Sequence, residues 1–356
     1  MKKRIGLLYG GKSAEHEVSL STAKAVTQAL DFNEFDVFPI FITLNGEWRV
    51  GPQLTEAAQS IEQLQFTSTS KADNNITQFI TAHMTTPFDV IFPLLHGTNG
   101  EDGTVQGFLE VLNIPYVGNG VLGSAAGMDK VAMKQLFEMA GLPQVPYVHF
   151  IRSEWEKNQA GYTAKCEDTL GYPMFVKPAN LGSSVGISKA SNAKELEKAV
   201  AYALQYDRKI VVEQGIIARE IELGVLGNDE PKVSVAGEIK PMTEFYDYDS
   251  KYKDGSTALI IPVPLEETVY MDLVEMAKKA FKAIDGAGLV RADFFVTADN
   301  EIFINEVNTL PGFTPVSMFP FFWQPPNVPY PELIKKLISL AVERHAEKQQ
   351  LQYNKD

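Results

Sequence analysis

Apolar runs and polar breaks divide the chain into recognisable elements. Arg4–Tyr9 is a short apolar run, followed by Gly10-Gly11 and by Ala14–Leu30, whose apolar positions recur at helical spacing. Phe35–Leu44 is a second strand-like run, and Asn45-Gly46 after it is a hairpin signal. Strand, helix, strand in that order predicts an α/β opening with a largely parallel sheet. Gln53–Ala82 is polar and weakly patterned and reads as a surface excursion. Phe88–Leu95 predicts a third strand ending in His96-Gly97, and Thr104–Leu112 predicts a helix. Val117–Gly127 is rich in glycine and small residues and reads as a domain boundary. Met128–Ala140 predicts a helix ended by Gly141 and Pro143.

In the second half, Met174–Val176 predicts a strand with Lys177 at its end, before a loop through Gly182-Ser183-Ser184 to Gly186. Ala193–Tyr206 is an amphipathic helix, Lys209–Gln214 a strand containing Glu213, and Arg219–Leu226 a strand with Glu220 near its start. Phe245–Thr257 is aromatic, charged and turn-prone, and reads as an ordered loop or lid. Glu266–Ile284 is a helix, Phe313–Pro329 a Pro/Phe-rich loop carrying Ser317, and Pro331–His345 a closing helix.

Leu289–Thr314 carries the strongest chemistry. Two apolar runs flank Ala298–Glu301, a tight hairpin turn. A two- or four-residue loop centred on Asp299-Asn300 sets Asp293 opposite Glu306 and Arg291 opposite Asn308, all on one face because strand side chains alternate. The other face receives Ala292, Phe294, Val296, Phe303 and Val307, with Asn305 the exception among them. Two carboxylates and an amide suit a hard cation such as Mg²⁺ or Mn²⁺. The arginine beside them suits a phosphate or a developing oxyanion. The same pairing also fits a surface hairpin with a cross-strand charge network.

Composition narrows the function classes. With 356 residues the chain has room for two or three domains, and 45% hydrophobic with 22% charged residues is ordinary for a soluble enzyme. A net charge of −13 disfavours a general nucleic-acid or anionic-membrane surface. Cys166 is the single cysteine, which fits a reducing cytosol. The apolar run after the basic start is too short for a signal peptide, and no run is long enough to span a membrane.

Several single residues are candidates. Gly6–Ser13 matches the phosphate-loop pattern letter for letter, but its apolar middle belongs to the strand itself, so the context fails. A short glycine turn that places Glu15 near a helix N-terminus fits better. That glutamate suits a substrate amine, or is a plain first-turn acid. His96, at a strand's carboxyl end, is a candidate substrate contact. Lys130 in a first helical turn opposes the helix dipole, which points to an anionic partner. Lys177 with the Gly182–Gly186 loop, including Ser183 and Ser184, suits a lid over phosphates; an ordinary hairpin turn with solvent-facing serines is the plain alternative.

These pieces come in one order along nearly the whole chain: GGKSAEHEVS at 10–19, LLHGTNGEDGTVQG at 94–107, MDK at 128–130, VKPANLGSSVGIS at 176–188, VEQ at 212–214, FYDYDSKY at 245–252, then LVRADFF, NEVNTLPGFT and Ser317. Together they resemble the D-alanine–D-alanine ligase family of the ATP-grasp fold. The resemblance implies an N-terminal parallel-sheet α/β domain at 1–125. After it come a central ATP-grasp lid domain at 126–215 and a C-terminal ATP-grasp domain at 216–356, α+β in character, with nucleotide enclosed between these two. It implies that Asp293, Glu306 and Asn308 hold two Mg²⁺ (or Mn²⁺), and that Lys130, Lys177 and Lys251 contact ATP phosphates, with Ser184 in the loop that covers them. Glu213 would take the ribose, Glu220 a further part of the nucleotide, and Phe245 would lie near the adenine. Glu15 would hold the first substrate's ammonium, with Ser183 and Tyr252 as its hydrogen-bonded partners. Arg291 and the Gly312 N–H would stabilise an oxyanion, and Ser317 would contact the second substrate's carboxylate.

The implied reaction joins two D-alanines through an acyl phosphate, in the cytoplasm, for peptidoglycan precursor synthesis, and the resemblance also implies a homodimer. Tyr252 favours an amine acceptor, because similar ligases that make D-alanyl-D-lactate depart at this tyrosine. Two rivals remain: an ATP-grasp ligase with another acceptor, and a protein that binds nucleotide without turnover.

Overall fold

The computed structural model describes residues 2–66, 76–182, 184–241 and 257–352. The first sheet is built from β1 (Lys3–Gly10), β2 (Phe35–Ile42), β3 (Trp48–Val50) and β4 (Val90–Pro93), in the order β3-β2-β1-β4. β1 runs parallel to both β2 and β4, and β3 is antiparallel to β2 across the Asn45-Gly46 turn. Ile5, Leu7 and Tyr9 of β1 face one core with α1 (His16–Ala29). Leu8 faces another core with α2 (Ile76–Thr85) and α3 (Thr104–Val111). Burial on both faces explains why β1 reads as a continuous apolar run. The stretch read as a surface excursion therefore ends in a packed helix, with Phe79 of α2 fully buried.

β1 extends through Gly6 to Gly10, so no phosphate loop separates the two glycines. Gly10 has φ 90°, and a Cβ there would lie 2.1 Å from the Ile42 carbonyl oxygen. The glycine lets the chain leave β1 against the end of β2.

The segment read as a domain boundary contains a helix, α4 (Val121–Met128), separated by Asp129 from α5 (Lys130–Met139). Its small residues serve close packing: a Cβ on Gly127 would lie 2.4 Å from the Thr309 side chain. A second, antiparallel sheet follows, from β5 (Tyr147–Ile151), β6 (Met174–Pro178), β7 (Ser188–Ala190) and β8 (Lys209–Gln214), in the order β5-β8-β6-β7. Beside it lie α6 (Arg152–Lys157), α7 (Gln159–Leu170) and α8 (Ala193–Ala203), whose apolar faces share one core with it.

The third sheet is antiparallel, in the order β11-β10-β9-β12-β13. Its strands are β9 (Arg219–Gly227), β10 (Lys232–Pro241), β11 (Thr257–Ile260), β12 (Gly288–Val296) and β13 (Ile302–Asn308), backed by α9 (Glu267–Ala283). The Pro/Phe-rich loop contains a short helix, α10 (Met318–Trp323), and the chain closes with α11 (Tyr330–Lys348). Leu333, Ile334, Leu337 and Ile338 of α11 pack into the core of the first sheet, so the two ends of the chain share one hydrophobic cluster.

The β12–β13 hairpin pairs Asp293 with Glu306 and Arg291 with Asn308, as the hairpin reading expects. It gets there by a different route. The turn is a three-residue loop over 298–300, with Thr297 N–H bonded to the Glu301 carbonyl and Asn300 at φ 62°. That loop alone would shift the register by one residue. A β-bulge at Asn305, between the Phe294–Ile304 and Asp293–Glu306 pairs, shifts it back. The bulge also corrects the face assignment near the turn: Ile304, not Phe303, lies in the core beside Ala292, Phe294, Val296 and Val307.

Replacing Gly10 by alanine tests the β1 exit. The substitution adds a left-handed conformational cost of about 1–2 kcal/mol, and a clash with backbone that no rotamer relieves. Urea unfolding should show Gly10→Ala losing at least that much stability; an unchanged midpoint would contradict the packing described.

Candidate active site

Residues of both antiparallel sheets line a cavity of about 240 Å³. Lys130, Lys177, Ser184, Glu213, Glu220, Arg291, Asp293 and Glu306 meet in its walls. Lys177 comes from β6 and Glu213 from the adjacent β8, where Glu213 pairs in register with Phe175. The Glu213 carboxylate is 3% exposed and holds two ammonium groups, Lys134 Nζ at 2.8 Å and Lys177 Nζ at 2.5 Å. Burial alone would raise the Glu213 pKa, but the two lysines outweigh it and hold it down at about 2. Lys177 shows the converse: burial disfavours its charge, yet Glu213 and Glu306 raise its pKa.

Lys130 is the first residue of α5, behind the N-cap Asp129, which accepts from the Val131 and Ala132 N–H groups. Its Nζ donates to the Leu181 carbonyl at 2.8 Å and lies 3.6 Å from Glu306 Oε2. The anionic partner expected from its unfavourable place on the helix dipole is thus Glu306. On the facing sheet Arg291 forms a bidentate pair with Asp293, at 2.8 and 2.7 Å, and lies 3.2 Å from Glu222 Oε2. Glu222, Asp293 and Glu306 form one cross-strand row over β9, β12 and β13. Burial opposes the Arg291 charge, but Asp293 and Glu222 raise its pKa, so it stays cationic.

A second group approaches from the first sheet. Glu15 occupies the N-cap position of α1 without a side-chain capping bond, and its N–H bonds to Ser13 Oγ, which in turn donates to the His96 carbonyl at 2.8 Å. Gly97 passes so close that a Cβ there would sit 2.9 Å from Glu15 Oε2. The same carboxylate oxygen is 3.9 Å from the Cβ position of Gly182, so Glu15 borders the Gly182–Gly186 loop. His96 is buried with Nδ1 3.5 Å from Glu101 Oε1 and Nε2 3.3 Å from Thr22 Oγ1. Burial would lower its pKa; Glu101, with help from Glu15, raises it overall.

The third group lies after β13. Asn308 Oδ1 accepts the Leu310 N–H at 3.1 Å. Ser317 Oγ accepts the Thr314 N–H at 3.0 Å and is 3.2 Å from the Cβ position of Gly312. Glu15, His96, Asn308, Gly312 and Ser317 are not among the residues that line the cavity, while Ser183, Phe245, Lys251 and Tyr252 lie outside the described residues.

The sequence reading passes over Lys134 and Glu222. Each carries a signal: Lys134 is one helical turn from Lys130, and Glu222 is two residues from Glu220 on one strand face. It also passes over Phe175 and Phe295, which give the cavity aromatic walls.

Comparison with known proteins decides the family. A family model described as D-ala D-ala ligase N-terminus matches residues 4–119, and one described as D-ala D-ala ligase C-terminus matches residues 136–339. The chain belongs to the D-alanine–D-alanine ligase family. The family's D-alanine–D-alanine ligase from Bacillus licheniformis is 60% identical, with 99% of each chain covered, and that from Listeria welshimeri is 54% identical, again with 99% of each covered. Among solved structures, the D-alanine–D-alanine ligase from Coxiella burnetii superposes with a TM-score of 0.81 at 33% identity, covering 98% of this chain and 96% of that one. The VanG D-Ala:D-Ser ligase from Enterococcus faecalis superposes at 0.80 and 33% identity, covering 96% and 100%. The ATP-grasp architecture expected of the ligase family is therefore the one present.

The Glu213 centre gives a pH test. Its pKa is depressed from the ordinary 4.5 to about 2, so its contribution to stability is complete above the upper value and is lost as pH falls toward the lower one. The melting-temperature gap between the natural protein and Glu213→Gln should narrow as pH drops through that window. A gap that stays constant would show that the charge of Glu213 is not what the lysines stabilise.

Proposed function

We propose that this protein joins two D-alanines to D-alanyl-D-alanine with ATP; its relatives are named D-alanine–D-alanine ligases. The observation that carries the reading is the cross-strand pairing of Asp293 with Glu306, beside the Arg291–Asn308 pair, with Arg291, Asp293 and Glu306 lining one cavity with Lys130 and Lys177. Among the described residues, five carboxylates and three cationic side chains line that cavity. A triphosphate entering it would meet net repulsion unless divalent cations came with it. The described residues offer no group of three His, Cys, Asp or Glu placed to hold a metal. The oxygens on hand are two carboxylates and an amide carbonyl, a set that suits Mg²⁺ or Mn²⁺ completed by phosphate oxygens and water. Asp293, Glu306 and Asn308 would hold two such ions, which when bound neutralise the charge of the transferring phosphoryl group.

The chain's own residues account for the remaining needs of the reaction. Lys130 and Lys177 draw the phosphates to the cavity floor, and Ser184 with its loop covers them. Both Glu213 oxygens are held by lysines, so the ribose falls instead to Glu220, a second glutamate of the cavity wall. Glu15, beside the Gly182 loop, holds the first D-alanine's ammonium, with His96 next to it as a substrate-side group and Ser183 and Tyr252 as its partners. A carboxylate oxygen of that D-alanine attacks the γ-phosphorus, ADP leaves, and an acyl phosphate forms. The amine of the second D-alanine, having lost a proton, attacks the acyl carbon, and inorganic phosphate leaves from the tetrahedral intermediate. Arg291 and the Gly312 N–H stabilise its oxyanion, and Ser317 binds the second carboxylate. Positioning and charge neutralisation supply most of the acceleration. The loop closure that excludes water protects the acyl phosphate. Lys251 on the phosphates, Phe245 by the adenine, the 1–125, 126–215 and 216–356 domains, a homodimer, and work in the cytoplasm on peptidoglycan precursors complete the proposal. No helix among the described residues is long and apolar enough to cross a membrane.

Incubation with ATP, Mg²⁺ and D-alanine should release one phosphate per D-alanyl-D-alanine formed. No phosphate release would leave only nucleotide binding. Offering D-serine and D-lactate as acceptors separates the rival ligases, and Tyr252→Phe should increase the share of D-alanyl-D-lactate. An unchanged product ratio would remove the role given to Tyr252.

A further inference from the structure

Lys134 has no place in the chemistry described so far, yet it is one of the largest fully buried side chains in the protein, 1% exposed. It lies four residues after Lys130 on α5, so both project from one face of that helix. Lys130 reaches the cavity wall, while Lys134 stops behind it, 2.8 Å from Glu213 Oε1 and 5.5 Å from the centre of the Tyr147 ring. The other Glu213 oxygen holds Lys177. A lone Glu213–Lys177 pair would be neutral and would offer a phosphate no net charge. With Lys134 as third member, the buried group keeps one positive charge, and Lys177 is the member that lines the cavity.

We propose that Lys134 is a positioning residue for nucleotide binding: it neutralises Glu213, so that the Lys177 charge is available to the phosphates. The inference rests on the ATP-dependent reading above. In this arrangement Glu213 is the fixed hinge of the trio, aiming Lys177 while Lys134 cancels its charge. A purely structural lysine would serve stability alone. The role proposed here ties Lys134 to ATP affinity through Glu213, and removing both charges together should undo the defect.

The test is a double-mutant cycle with Lys134→Met, Glu213→Gln and the two combined, alongside Lys134→Arg. Lys134→Met should raise the KM for ATP roughly tenfold, a size common for coupled buried charges, while the KM for D-alanine moves less than about twofold. Lys134→Arg should recover most of the ATP affinity. The combined variant should bind ATP more tightly than Lys134→Met, because Lys177 then faces a neutral amide. An ATP KM unchanged in Lys134→Met, or a combined variant no better than the single one, would overturn the proposal. Lys134→Gln gives the same comparison should the methionine variant not fold. Wild-type phosphate release is the control for the ligase reading: its absence would sink that reading, while ATP titration calorimetry across the variants would still decide the role of Lys134.

Discussion

Charges taken out of water must meet opposite charges, and the cavity between the two antiparallel sheets is organised by that requirement. Glu213 is buried and is held by two lysines; Arg291 is half-buried and is held by Asp293 and Glu222. Each centre sits on a strand, where backbone pairing fixes the side chain's direction. The lysine centre stands on β6, β8 and α5, and the arginine centre on β9 and β12. Lys130 joins the two, donating to the loop after β6 and lying beside Glu306 on β13. The result is a set of charged groups held in place before any ligand arrives, which is what positioning a polyphosphate demands.

The rest of the fold brings a third surface to this centre. Glu15 and His96 leave the carboxyl edge of a parallel sheet, the usual place for ligands in α/β layers. The contact with the Gly182 loop depends on glycine at 97, where any side chain would displace the Glu15 carboxylate. The far end of the chain secures the arrangement. α11 packs into the core of the first sheet, and Arg344 on it donates to the carbonyls of Gly118 and Tyr116. α4 fits closely against the segment after β13, with Gly127 against Thr309. These ties are apolar packing and side-chain hydrogen bonds to carbonyls; the exposed ion pairs Lys335–Glu34 and Lys348–Glu110 between the same parts contribute little.

The hairpin shows how a local pattern can reach a correct pairing by an incomplete route. Alternation over Arg291–Phe295 and Phe303–Asn308 places the acids and the arginine on one face, and the turn signal at Asp299-Asn300 brings the strands together. Neither states the loop length to one residue, nor the bulge at Asn305 that compensates for it. A bulge is set by twist and by what the strand packs against. For that reason Phe303 and Ile304 exchange faces relative to simple alternation, while Asp293 and Glu306 do not.

Much was legible in the sequence by itself. The β-α-β opening, the strand that contains GLLYG, the Lys177 loop and the acidic hairpin all follow from periodicity and turn chemistry, which act over a few residues. The order of the motifs along the chain pointed to the family. Only the tertiary structure decided that the glycine-rich stretch at 117–127 becomes a packed helix and that the last helix closes on the first sheet. It alone placed Lys134 and Glu222 in the charged centre and turned Glu213 toward two lysines. Those outcomes depend on contacts between residues far apart in the chain, where burial makes a charge choose its partner and a short pattern holds no record of the choice.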